Sequence, residues 1–279
     1  MRLIDGRAIA AAIENEVTGT VDQLRAAGTS PTLAVVVPTD NEASAWYVRS
    51  IRRAAERVGI DCIVDQLHNP GATELATHLD AHGADPAVHG VIGQTPLPAG
   101  FSLEHITGHI DPAKDVDGAN PTSLGRLATG LSTYPPATAA AVLEVLHHEQ
   151  VTLTGARAVV VGRSAVVGKP AALLLLAEDA TVTVCHSHTA DLPAVCAQAD
   201  ILVVAAGRPE MIDASYIKPG AVVIDVGTNP TDDGGLVGDV KASTVADLDG
   251  AITPVPGGVG PITTMMLMRH TADAARSLT

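Results

Sequence analysis

The sequence predicts an α/β protein of two domains with parallel strands. Short apolar runs alternate with helical stretches along the chain, the pattern of strands returned by helices. A length of 279 residues is long for one core and comfortable for two. The second half also carries a β-α-β-β order, which reads as a Rossmann-type unit.

In the first half, the run 33–37 (LAVVV) reads as a buried strand, and 41–58 reads as a helix that stops at Gly59. Residues 62–67 give the next strand, 73–82 a helix, and 88–92 a third strand. The segment Gln94-Thr95-Pro96-Leu97-Pro98 is a loop, because proline fits neither regular ladder. A second unit starts near Thr138, with a helix over 139–148, a strand over 158–161, a glycine-containing turn and a helix over 170–177. Strands follow at 181–184, 201–205 and 221–226, and the tail 263–277 is helical.

Composition narrows the class. Hydrophobic residues make up 46% but aromatics only 2%, so the core is aliphatic. A formal net charge of −14 argues against nucleic acid or an anionic membrane as partner, since both require basic patches. Cys62, Cys185 and Cys196 are odd in number and lack zinc-finger spacing, which reads as reduced thiols. The N-terminal stretch has early charge and no apolar core of a signal peptide, and no run is long and apolar enough to span a membrane. The expected compartment is the cytoplasm.

The turn from Val161 to Pro170 follows a strand and opens a helix, where a dinucleotide pyrophosphate sits on free backbone N–H groups. Gly162 and Gly168 anchor it, Ser164 replaces the second glycine of the usual fingerprint, and the last glycine comes one residue late. The next strand ends at Cys185-His186-Ser187, where NAD-binding units place an acid on the ribose 2′-hydroxyl. No acid stands there. Arg163 and Ser187 offer a cation and a hydroxyl, which suit the 2′-phosphate of NADP. His186 reads equally as a surface histidine or a phosphate ligand.

Several separated stretches then carry a resemblance: VVVGRSAVVGKPAALLLL, TVTVCHSHT, ADILVVAAGRPEMI, KPGAVVIDVGTN, the run from Ile252 to Thr263, Asp111 to Gly118, and Gln94 to Pro98. In order, they resemble the bifunctional methylenetetrahydrofolate dehydrogenase/methenyltetrahydrofolate cyclohydrolase family over essentially the whole chain. The resemblance implies a catalytic, folate-side domain (1–138 with 262–279) and an NADP-binding domain (139–261), with a cleft between them. It also implies a homodimer formed through the cofactor domain.

Roles carried across by the resemblance are as follows. Tyr47 would pack on the folate rings, and Asp117 would accept hydrogen bonds from the pterin edge. Gln94 would help to orient the reacting centre. Pro254, Gly257 and Gly258 would line the substrate side, and Thr228 would stand at a cofactor-side strand end. The resemblance fails at one position: the family pattern Tyr-x-x-x-Lys reads here Tyr47-Val48-Arg49-Ser50-Ile51. Spacing of i, i+4 puts Ile51 on the Tyr47 face, beside the cleft and near Gln94, and isoleucine cannot move a proton. Lys114 is the nearest substitute by motif. Smaller departures are Ser123 for an asparagine, Pro136-Ala137-Thr138-Ala139 for Pro-Cys-Thr-Pro, His188 for a basic residue and Thr228 for an apolar one.

The expected activity is NADP-dependent oxidation of 5,10-methylenetetrahydrofolate to the methenyl form, with cyclohydrolase activity weak or absent. The alternative is a repurposed relative acting as an amine or imine oxidoreductase on a non-folate small molecule.

Overall fold

The computed structural model describes residues 1–95, 97, 100–102, 106–231 and 233–279, with the side chains of Glu42 and Ala43 left aside. Of the loop expected at Gln94 to Pro98, Pro96 and Pro98 therefore lie outside the described residues. The chain forms two compact units: Ala12–Ala137 with Thr264–Thr279, and Met1–Ala11 with Thr138–Thr263.

The first unit holds a three-stranded parallel sheet in the order β3-β2-β4, made of β2 (Thr32–Val37), β3 (Asp61–Gln66) and β4 (Gly90–Gly93). Every residue of β2 is buried, which is why the run reads as continuously apolar rather than alternating. Helix α1 (Gly6–Ala26) begins in the other unit and continues into this one. Helices α2 (Glu42–Val58) and α3 (Ala72–Ala84) link the strands. Asp115 forms an isolated parallel bridge with Val91, so the 115–117 segment runs beside β4. Helix α4 (Pro121–Ala128) follows, capped by Asn120, whose side chain accepts from the Thr122 N–H.

The second unit is a six-stranded parallel sheet in the order β1-β11-β8-β7-β5-β6. Its strands are β1 (Arg2–Leu3), β5 (Arg157–Val161), β6 (Thr181–Cys185), β7 (Ile201–Val204), β8 (Val222–Asp225) and β11 (Ala251–Ile252). A small antiparallel pair, β9 (Asn229–Pro230) and β10 (Leu236–Val237), lies outside it. Helices α5 (Ala137–His148), α6 (Gly168–Ala177), α7 (Leu192–Cys196) and α8 (Ala242–Val245) go with this sheet, and α9 (Val259–Leu278) begins in this unit and continues into the first. The core is aliphatic as expected, built around Val159, Val161, Leu202, Val204 and Val223. The chain leaves β5 for β6 on one side and returns to β7 on the other, which makes β5/β7 the topological switch point.

Two features go beyond the sequence expectation. Residues 1–11, expected with the N-terminal domain, join the six-stranded sheet because β1 pairs with β11. Helices α1 and α4 are absent from the pattern read above. In α1 the buried residues Ile9, Ile13, Val17 and Val21 recur every fourth position, which is a helical stripe.

Candidate active site

Three segments of the first unit converge at the carboxyl ends of its strands, where ligands bind in parallel α/β sheets. Helix α2 brings Tyr47, the end of β4 brings Gln94, and the segment beside β4 brings Asp117. The Asp117 carboxylate is close enough to act on Tyr47. Burial, and secondarily the Asp117 charge, holds the Tyr47 phenol well above its usual range. Burial, with repulsion from Asp115, raises Asp117 to about 7, while the Ala137 backbone N–H works against that shift. A carboxylate that titrates near neutrality is the mark of a group desolvated ahead of a ligand.

Asp115 organises this loop. It is fully buried, and it accepts from the N–H groups of Ala119 at 3.0 Å and Asn120 at 2.8 Å and from Ser123 Oγ at 2.6 Å. Ser123 is therefore a buried donor to a loop carboxylate. Gly118 adopts φ +61, and a Cβ there would meet Pro136 N at 2.4 Å, so only glycine lets the chain pass Pro135–Pro136 directly after Asp117. From α9, His270 Nδ1 lies 2.8 Å from the Val116 carbonyl, and its ring packs on Tyr134 with centroids 5.4 Å apart.

Gln94 turns its amide onto the neighbouring Thr95 carbonyl at 2.6 Å, and Ser44 Oγ of α2 reaches the same carbonyl at 3.3 Å. Ile51, expected on the Tyr47 face of α2 beside the cleft, is 0% exposed. Lys114, named above as the nearest substitute by motif, is engaged at the end of α3. Its Nζ is bound to the Asp85 carbonyl at 2.7 Å and the His82 carbonyl at 3.4 Å at the end of α3.

In the second unit, Gly162 (φ +128) follows β5, and a Cβ there would lie 2.2 Å from the Ala205 carbonyl oxygen. A Cβ on Gly168 would lie 2.2 Å from the Gly162 carbonyl oxygen, so both glycines are required by close backbone approach. Ser164 Oγ accepts from the N–H groups of Val167 at 3.1 Å and Gly168 at 3.4 Å. Among the described residues, no protein acceptor meets the N–H of Ala165 or Val166. This exposed turn at the start of α6 fits a pyrophosphate. Arg163, Ser187 and His188 are exposed and His186 is half-buried. The His186 Nδ1 accepts from the His188 backbone N–H at 3.1 Å. Thr228 is exposed after β8, while Pro254 and Gly257 are half-buried and Gly258 is buried. A Cβ on Gly258 would meet the Pro254 carbonyl oxygen at 2.5 Å.

Sequence reasoning passed over Asp115, Ser44 and His270. Asp115 stood inside a quoted motif, and an aspartate two residues from another in a loop was the available signal.

Known proteins share these features. A family model described as the catalytic domain of tetrahydrofolate dehydrogenase/cyclohydrolase matches residues 4–117, and one described as its NAD(P)-binding domain matches residues 136–279. A bifunctional protein FolD from a Parafrankia species is 60% identical over 275 residues, covering 99% of each chain. The crystal structure of the bifunctional enzyme FolD, a methylenetetrahydrofolate dehydrogenase/cyclohydrolase from Campylobacter jejuni, superposes with a TM-score of 0.97 at 39% identity, covering 99% of each chain. The Trypanosoma brucei methylenetetrahydrofolate dehydrogenase-cyclohydrolase, complexed with NADP cofactor and inhibitor, gives a TM-score of 0.93 at 38% identity, covering 99% of this chain and 97% of that one.

Proposed function

The chain belongs to the tetrahydrofolate dehydrogenase/cyclohydrolase family, and from that membership we propose that it is an NADP-dependent methylenetetrahydrofolate dehydrogenase whose cyclohydrolase activity is weak or absent. The observation that carries this reading is the pair Tyr47 and Asp117, kept together at the sheet end, with fully buried Ile51 one helical turn from Tyr47.

Asp117 accepts from the ring N–H and exocyclic amine of the pterin, which a carboxylate does with both oxygens at once. Tyr47 packs on the rings, and Gln94 orients the reacting centre. The lone pairs of the two folate nitrogens drive hydride loss from the methylene bridge, so the protein supplies orientation and electrostatics. NADP⁺, when bound, is the hydride acceptor. Cyclohydrolysis additionally needs water added to the methenyl cation and protons moved between nitrogen and oxygen. Ile51 has no ionisable group for that work, and the Lys114 ammonium is engaged elsewhere. The test is a progress curve with methylenetetrahydrofolate and NADP⁺. A substrate-dependent rise in methenyl product supports the reading; no folate turnover favours the amine or imine oxidoreductase instead.

Arg163 and Ser187 select NADP over NAD by contacting the 2′-phosphate. A charge-assisted contact contributes about 1.5–3 kcal/mol, or roughly one to two decades in affinity. Arg163→Ala is therefore expected to lose that much of the NADP preference in Kd measurements on both cofactors. An unchanged ratio would remove Arg163 from this role.

A homodimer through the cofactor domain also belongs to this reading. Edge strand β6 carries Val184 at 41% exposure, and α6 carries Leu176 at 59%. An apolar, unpaired sheet edge is a liability unless covered. Light scattering is expected to give a dimer for wild type and a monomer for the double variant Leu176→Asp, Val184→Asp. A wild-type monomer at all concentrations would contradict it.

A further inference from the structure

Trp46 is the only tryptophan of the chain, and it is 63% exposed. One exposed apolar side chain needs no explanation by itself. This one, however, stands at the head of a row on α2. Trp46, Arg49, Ser50, Arg53 and Arg57 line one open depression of about 220 Å³. Their spacing of three and four residues puts them on a single face of the helix. Arg57 is held by Glu14 at 2.8 Å, and Arg52, next to the row, lies 3.6 Å from Glu56. Arg49 and Arg53 are exposed, and among the described residues neither is in an ion pair or a side-chain hydrogen bond. A chain with 31 acidic and 17 basic residues thus keeps two neighbouring guanidinium groups clear of its own carboxylates.

The row begins beside the residue proposed to pack on the folate rings. Ser50 follows Tyr47 by one helical turn, and i, i+3 neighbours lie about 5–6 Å apart. The end of a folate opposite the pterin is a glutamate, to which further glutamates are joined through the γ-carboxyl. An extended γ-linked unit spans about 6 Å, because its backbone has two more C–C bonds than the roughly 3.5 Å of an ordinary α-linked residue. Each unit leaves one α-carboxylate free. Arg49, Arg53 and Arg57 are successive i, i+4 positions, so they rise by about 6 Å each along the helix. The repeat of the cations therefore matches the repeat of the carboxylates, and a guanidinium fork suits a carboxylate. The methylenes and planar amides between the carboxylates are apolar enough to lie on an exposed indole.

We propose that the α2 face of Trp46, Arg49 and Arg53 binds an oligo-γ-glutamate chain extending from the folate, and so favours folates with several glutamates over those with one. Arg49 and Arg53 pair with successive α-carboxylates, and Trp46 covers the chain near its start. This assignment rests on the folate reading for the identity of the chain. The face itself recognises the tail without the pterin.

Two measurements on the full chain test it. In the first, Trp46 emission is titrated with free γ-linked pentaglutamate and with α-linked pentaglutamate, which carries the same charge at a shorter repeat. The γ-linked chain is expected to bind about fivefold tighter or more, and the double variant Arg49→Gln, Arg53→Gln to lose that difference. In the second, KM for 5,10-methylenetetrahydrofolate is compared between substrate with one glutamate and substrate with five. Wild type is expected to favour the longer substrate by about five- to tenfold at low salt and by less as salt rises. The double variant is expected to bring the ratio close to one. Both arginines are exposed, so its melting temperature should match wild type. No saturable response to the γ-linked chain, equal binding of the two linkages, or a variant that keeps the KM ratio overturns the proposal. Wild type that turns over both folates at equal KM overturns it as well and leaves the dehydrogenase reading standing. Selective binding of the γ-linked chain without turnover of any folate supports the face and contradicts the dehydrogenase reading instead.

Discussion

Methenyltetrahydrofolate is expected to decay in the presence of this protein at nearly the rate seen in buffer alone. A positioned general acid or base typically contributes roughly 10²–10⁴-fold in rate, and Ile51 supplies none of it. The full burial of Ile51 sharpens the expectation. An apolar side chain enclosed in the unit offers no group that can take up or give a proton. Ile51→Lys then carries two opposed consequences. An ammonium at a fully buried position pays a desolvation cost of several kcal/mol or sheds its proton. That is a large fraction of the roughly 5–15 kcal/mol that holds a typical domain folded. The variant is expected to melt well below wild type, and to gain hydrolysis only to the extent that the new amine reaches past Tyr47. Thermal melting and methenyl decay, measured on the same preparation, check both. Wild-type protein that hydrolyses methenyltetrahydrofolate in proportion to enzyme concentration would show that another group does the proton transfer.

Asp117→Asn is expected to lower kcat/KM for the folate substrate by about 10²–10⁴-fold. One charge-assisted acceptor is lost and an amide N–H is set against the pterin's own donors, each costing about 1.5–3 kcal/mol. The pH dependence separates this from a loss of fold. Asp117 titrates at about 7 because burial and Asp115 raise it. As pH falls through about 7 the carboxylate gains a proton and can no longer accept from both pterin donors, so wild-type kcat/KM should fall on the acid side. The Asn variant should be flat there. Stability runs the other way. The folded-state pKa lies above the ordinary carboxylate value, so the favourable contribution of Asp117 is present below that value and lost as pH rises towards 7. The Asn variant is therefore expected to melt higher than wild type at pH 8 and alike at pH 4. Identical melting curves at both pH values would mean that Asp117 is not desolvated in the free protein.

Much of this was legible in the sequence, and the unread part has a common cause. The continuous apolar runs of β2 and β7 announce fully buried parallel strands, and the glycine turn after β5 announces the phosphate end of a dinucleotide site. Tyr47, Gln94 and Asp117 stand in short motifs that carry the family resemblance, and their roles remain proposals. What stayed hidden depends on partners far away along the chain. The engagement of Lys114 is set by the Asp85 carbonyl 29 residues earlier. The position of Ile51 relative to the core follows from how α2 packs, and helical spacing alone gives only the face it shares with Tyr47. Helix α4 was a different matter: Asn120 followed by Pro121 is a local cap signal that the sequence offers openly.

The most direct test is one progress curve, in which purified protein, NADP⁺ and 5,10-methylenetetrahydrofolate are mixed and the methenyl product is followed by absorbance until substrate is exhausted. The account predicts a rise that depends on enzyme and NADP⁺, then a decline at the buffer rate that does not change when the enzyme concentration is raised tenfold or so. No rise, or a decline that quickens in proportion to the enzyme, would contradict it.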